Sequence, residues 1–285
     1  MIGVFDSGNG GLTVLRALAG RLPGPGFAYL GDHANAPYGD RPAEAVYRLT
    51  VENVERLFGL GCRLVLLACN TASAVALRRL QRHWLPGVDG GRRVLGVLVP
   101  VVEPITLVPW QVNAPPSDRP TPPATIGVFA TPRTVTTGAF AYEIGRRAPA
   151  VTVLQQACPG LVAAIEADAP AAEIAGLVAG FVAALQERCP AGRPDTVVLG
   201  CTHFPLVADA FAAALPAGVP ILDQPRLVAD SLEAYLRRHP DFDDGAGGGA
   251  AEGGGIRFLS TGCNGATAAV ASRFFGRPVV FERVG

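Results

Sequence analysis

Residues 64–73 read Leu-Val-Leu-Leu-Ala-Cys-Asn-Thr-Ala-Ser, and residues 196–205 read Thr-Val-Val-Leu-Gly-Cys-Thr-His-Phe-Pro. Each is a short apolar run of buried-strand type that stops at a cysteine and continues into polar residues. Cys69 aligns with Cys201, Asn70 with Thr202 and Thr71 with His203. A second match lies upstream. Ile2-Gly3-Val4-Phe5 recurs letter for letter as Ile126-Gly127-Val128-Phe129, and Ala130-Thr131 stands where Asp6-Ser7 stood. Ile2 precedes Cys69 by 67 residues, and Ile126 precedes Cys201 by 75. Two matches in the same order, both at strand ends before polar turns, point to two related α/β lobes.

Around these segments, apolar runs alternate with amphipathic stretches, the pattern of βαβ units and parallel sheets. Strands are expected at Ile2–Phe5, Phe27–Leu30, Leu64–Ala68, Val94–Val97 and Ile256–Leu259. Helices are expected at Leu12–Leu18, Glu44–Phe58, Ser73–Arg82 and Thr267–Phe275. The fold class is therefore α/β, with two pseudo-symmetric lobes, each a mainly parallel sheet flanked by helices, and the active site in the cleft between them. The first lobe takes residues 1–97 and 226–285, the second 98–225. The Pro-rich stretch Asn113–Pro123 reads as a surface loop, and the low-complexity Gly/Ala run Gly245–Gly255 as a mobile loop.

Composition removes several function classes. Acidic and basic residues balance at 24 each, so nothing draws the chain toward nucleic acid or an anionic membrane. No apolar stretch approaches the roughly 20 residues of a bilayer span. Met1-Ile2-Gly3-Val4-Phe5-Asp6 lacks the basic start of a secretory signal, so a cytoplasmic location is expected. All 24 basic residues are arginine. Without lysine there is no Schiff-base anchor for pyridoxal phosphate and no P-loop of the usual kind. The six cysteines are widely spaced with no Cys-x-x-Cys pair, which argues against a disulfide framework and a structural zinc.

Ligands of open parallel sheets bind beyond the carboxyl ends of the strands. Four polar clusters fall there: Asp6-Ser7, Cys69-Asn70-Thr71, Thr131 to Thr137, and Cys201-Thr202-His203. Their hydroxyls and backbone amides suit a carboxylate, and helix N-termini favour thiolate at the two cysteines. Near-equivalent thiols from two related lobes suit inversion at a carbon. One group takes a proton from one face while the other delivers a proton to the opposite face, and the roles exchange in reverse.

Four motifs in order carry a resemblance. They are Asp6-Ser7-Gly8-x-Gly10-Gly11-Leu12-Thr13-Val14; Tyr29-Leu30-Gly31-Asp32 with Ala36-Pro37-Tyr38-Gly39; Ala68-Cys69-Asn70-Thr71-Ala72; and Leu199-Gly200-Cys201-Thr202-His203-Phe204-Pro205-Leu206. The chain closely resembles the bacterial glutamate racemases of the aspartate/glutamate racemase superfamily, over residues 2 to about 207 and again at Phe258–Gly262. The resemblance implies cofactor-independent interconversion of L- and D-glutamate for peptidoglycan, with no metal and no organic cofactor. The implied partner is the small-molecule substrate glutamate, and the resemblance leaves room for a homodimer. It makes Cys69 and Cys201 the proton-transfer pair, assisted by Asp6 and His203, with Glu166 an acidic group near the second thiol. It assigns substrate contacts to Asp6, Ser7, Pro37, Tyr38, Gly39, Asn70, Thr71, Thr131, Thr134, Thr202 and His203. Asn9, His33 and Asn35 depart from the family's usual residues beside the site.

Blander readings apply elsewhere. Cys62, Cys158, Cys189 and Cys263 read as small buried hydrophobes, and His33, His83 and His239 as structural or solvated. Asp32 and Asp40 read as braces for the loop around Tyr38. The rival functions are a racemase of aspartate or another acidic amino acid, a hydrolase or transferase with Cys201 as nucleophile, and a non-catalytic amino-acid binding protein. The hydrolase leaves Cys69 unexplained.

Overall fold

The computed structural model describes residues 1–88, 90–107, 122–242, 255–262 and 265–284. Most of the two stretches expected to be loops, and Cys263, lie outside the described residues. The chain divides into two compact units, Met1–Val97 with Pro225–Gly285, and Leu98–Gln224.

The first unit is built on a six-stranded sheet. In chain order its strands are β1 (Ile2–Asp6), β2 (Phe27–Gly31), β3 (Leu64–Leu67), β4 (Arg93–Gly96), β9 (Ile256–Ser260) and β10 (Glu282–Arg283). They lie in the order β10-β9-β2-β1-β3-β4, and every pairing is parallel. Parallel neighbours cannot be joined by hairpins, so helices make the crossovers: α1 (Leu12–Arg21), α2 (Ala43–Gly59) and α3 (Asn70–Arg79). Phe5, Leu57, Val65, Leu67 and Ala72 lie in the core between strands and helices. Strands β1 to β3 are buried at every position, which is why they read as unbroken apolar runs rather than alternating ones.

The second unit has four parallel strands, β5 (Ala124–Ala130), β6 (Val151–Ala157), β7 (Thr196–Gly200) and β8 (Ile221–Leu222), in the order β6-β5-β7-β8. That order repeats β2-β1-β3-β4 of the first unit. The registers repeat too. Phe5 pairs with Leu67, two residues before Cys69, and Phe129 pairs with Leu199, two residues before Cys201.

The shared glycine of the two Ile-Gly-Val-Phe segments has a packing cause. A Cβ on Gly3 would lie 3.0 Å from Val65 Cγ2 and 3.2 Å from Leu57 Cδ1. A Cβ on Gly127 would lie 3.2 Å from Leu185 Cδ1 and 3.3 Å from Val197 Cγ2. Leu57 belongs to α2, and Leu185 to α8 (Ala171–Gln186). In each unit a helix therefore rests directly on the central strand, so closely that any side chain there would press on its neighbours.

Several boundaries differ from the sequence reading. The helix expected at Ser73–Arg82 begins at Asn70, because the Cys69 side chain accepts the Ala72 N–H (3.4 Å) and caps it. It ends at Arg79, and Leu80–Trp84 form a wider π-turn. Strand β6 carries no sequence signal because it is an edge strand, where Gln155 and Gln156 break the apolar run.

Valine at Gly3 or Gly127 is expected to cost about 1–3 kcal/mol in urea unfolding, the usual penalty for overpacking a core. Gly59→Ala, at a site with nothing within 4 Å of the new Cβ, is the control and should change stability by less than about 0.5 kcal/mol.

Candidate active site

In the first unit, the polar residues singled out in the sequence gather where β1, β2 and β3 end. Asp6 closes β1 fully buried, and its Oδ1 accepts the Gly8 N–H at 2.9 Å. A Cβ on Gly11 would sit 2.5 Å from Asp6 Cβ, so the turn closes over this carboxylate only with glycine there. Cys69 follows β3, is 4% exposed, and its thiol donates to Ser7 Oγ at 3.6 Å. Asn70 and Thr71 form the first turn of α3 and are buried beside it.

Tyr38 and Gly39 are buried in the loop after β2, while Pro37, joined to Ala36 by a cis bond, is exposed. The Tyr38 hydroxyl donates to Asp32 Oδ2 at 2.6 Å. Burial, and then the adjacent Asp32 charge, push the phenol well above its ordinary pKa, so Tyr38 stays a neutral donor. Asp32 also accepts from Asn35 Nδ2 (3.0 Å) and Thr261 Oγ1 (2.6 Å). Its expected bracing part is therefore visible, with a partner, Thr261, that no local sequence signal announces.

In the second unit, Thr131 caps the short helix α5 (Pro132–Thr137), accepting the Thr134 N–H at 3.3 Å. Its hydroxyl lies 3.0 Å from that of Thr134, and both residues are buried. Thr202 and His203 are buried immediately after Cys201. His203 Nδ1 faces Cys201 Sγ at 3.9 Å, and its Nε2 faces Glu166 Oε1 at 2.7 Å. Glu166 ends the helix α7 (Leu161–Glu166). The imidazole thus bridges sulfur and carboxylate.

Burial alone drives the His203 ring toward its neutral form. Its hydrogen bonds to Cys201 and Glu166, with their charges, outweigh that and raise its pKa to about 10. Cys158 follows β6 and is held by the Ala130 carbonyl (2.9 Å); burial and then the nearby Cys201 push its thiol far up, so it stays protonated. Cys62 and Cys189 are buried as well. Among the described residues, no group of three or more His, Cys, Asp or Glu side chains could hold a metal ion, and no helix is long and apolar enough to cross a membrane.

Residues 32–232 match the family model for Asp/Glu/Hydantoin racemase. The chain is 49% identical over 287 residues to the glutamate racemase of Caulobacter sp. (strain K31), covering 99% of both chains. It belongs to the glutamate racemases. Among solved structures, a glutamate racemase isoform of Bacillus anthracis superposes with a TM-score of 0.82 at 28% identity, covering 100% of this chain and 97% of that one. The Thermus thermophilus glutamate racemase, solved in complex with beta-chloro-D-alanine, matches at 0.76 and 32% identity, covering 100% of this chain and 96% of that one. Glutamate racemases are isomerases, and the doubled α/β architecture of this chain is that of its structural neighbours.

The His203 shift has a thermodynamic signature. The folded ring holds its proton to about pH 10, whereas an unfolded ring loses it near 6.5. The stability it contributes is full below pH 6.5 and drains away as pH rises toward 10. Thermal melts of Glu166→Gln should show a shallower decline in Tm between pH 7 and 10 than the parent. Equal slopes would mean that Glu166 does not hold the proton on His203.

Proposed function

We propose that the chain interconverts L- and D-glutamate by a two-base mechanism, with Cys69 and Cys201 working on opposite faces of the α-carbon and no cofactor. The observation that supports it most is the repeated register, which sets a cysteine two residues beyond the same strand pairing in each unit. A duplicated thiol matches a reaction whose forward and reverse directions exchange base and acid.

The steps balance without an outside reagent. One sulfur, as thiolate, takes the α-proton: the C–H bond breaks, an S–H bond forms, and the electron pair remains on carbon, delocalised into the carboxylate. The other thiol gives its proton to the opposite face, where a C–H bond forms and an S–H bond breaks. The sulfurs finish with exchanged protonation states and recover through solvent.

On the Cys201 side, the charged His203 ring passes protons at Nδ1, and Glu166 holds its other nitrogen. On the Cys69 side there is no imidazole among the residues assigned to the site. Ser7 and the Ala72 amide address the sulfur, and Asp6 assists from the neighbouring strand end. Thr131 and Thr134, with Asn70, Thr71 and Thr202, supply hydroxyl and amide groups for the substrate carboxylates. Tyr38 and Gly39 wall the ligand, with Pro37 at the rim. Fixed dipoles aimed at the enolate-like charge contribute most of the acceleration for so weak a carbon acid. The D-glutamate formed supplies peptidoglycan synthesis, in the cytoplasm.

Incubation with L- or D-glutamate in D2O is the test. Loss of optical activity with deuterium gained at the α-carbon is expected from the protein alone. Cys69→Ser and Cys201→Ser should each lower racemisation by roughly 100- to 10,000-fold, the usual worth of a proton-transfer group. Normal racemisation by both variants would end the two-thiol reading, and preferred turnover of aspartate would move the specificity.

A further inference from the structure

Two of the residues set apart in the sequence, Asn9 and His33, meet in the structure. His33 Nε2 lies 2.9 Å from Asn9 Oδ1, and His33 Nδ1 lies 2.8 Å from Ser260 Oγ. Asn9 belongs to the turn after β1, His33 follows β2, and Ser260 ends β9. These strand ends are level, since Asp6 pairs with Gly31 and Gly31 with Ser260. One imidazole therefore ties together three adjacent strand ends.

The partners place a hydrogen on Nε2. Asn9 Oδ1 can only accept, so Nε2 carries the hydrogen. In the neutral ring Nδ1 accepts from the Ser260 hydroxyl, whose oxygen in turn accepts the Gly262 N–H at 3.2 Å. The ring is seated as well as bonded. A Cβ on Gly31 would fall 2.4 Å from His33 Cε1 and 2.7 Å from the Gly8 carbonyl, so glycine lets ring and turn close over β2. Phe281 packs edge-on against the ring at 5.0 Å.

The turn that His33 grips is the one that addresses the first thiol. Gly8 is held by its N–H to Asp6 Oδ1 and by its carbonyl, which accepts the Tyr29 hydroxyl at 2.6 Å. Between Asp6 and Gly8 stands Ser7, whose oxygen takes the Cys69 thiol. A turn fixed at Asp6, Gly8 and Asn9 leaves Ser7 little freedom. We infer that His33, bridging Asn9 and Ser260, is a positioning residue that sets the Asp6–Ser7 turn against Cys69 and so governs proton transfer at that thiol alone.

The inference rests on the proposed racemase reading and deepens it. His33→Leu removes both bonds; His33→Gln keeps a donor for Asn9; Asn9→Ala releases the same contact from the other side and serves if His33→Leu folds poorly. Expected for His33→Leu and Asn9→Ala is a fall in kcat of roughly tenfold or more, as follows from misplacing a reacting group by a fraction of an ångström. KM should change far less, and His33→Gln should recover most of the rate. With α-deuterated substrates, the primary isotope effect should rise for the enantiomer that Cys69 deprotonates and not for the other. A merely structural role would lower Tm and affect both enantiomers alike. Variants that match the parent, or isotope effects that rise equally for both enantiomers, would overturn the inference. A parent that fails to racemise would instead remove the functional reading itself.

Discussion

The position of each thiol depends on one constraint, the parallel register between a central Ile-Gly-Val-Phe strand and its neighbour. Pairing of Phe5 with Leu67, and of Phe129 with Leu199, leaves the chain two residues before the next element must turn away. Both times the second of those residues is cysteine. A slip by one residue would send the thiol to the other face of the sheet. Gly3 and Gly127 sit in the same strands, where α2 and α8 lie so close that a Cβ would come within 3.0–3.3 Å of its neighbours.

The duplicated frame carries unequal surroundings. Cys201 has a cationic imidazole backed by a carboxylate, an arrangement with its own proton reservoir. Cys69 has a serine hydroxyl and a backbone amide, set on a turn braced by Asp6, Tyr29 and the His33 bridge. In the proposed mechanism the first thiol relies on placement and the second on charge. Tyr38, neutral and bound to Asp32, and Thr261 at the end of the last long strand extend the bracing of the first.

Much of this is legible in the sequence. Strands buried on both faces leave continuous apolar runs, so β1, β2, β3, β5 and β7 stand out, and the doubled motif announces the doubled sheet. The start of α3 is not legible because a cysteine is a rare cap, nor is β6, because an edge strand tolerates glutamine. The brace is harder still. Thr261 reaches Asp32 across 229 positions, and Ser260 reaches His33 across 227. No local pattern encodes such a contact, and a histidine partnered at both nitrogens looks, in a sequence, like any structural histidine.

The most direct measurement is a structure of the protein with glutamate bound, in which the distance and direction from each sulfur to the α-carbon are read. The account predicts Cys69 Sγ on one face and Cys201 Sγ on the other, each close enough for direct proton transfer, about 3–4 Å. Both sulfurs on one face, or either one out of reach of that carbon, would contradict it.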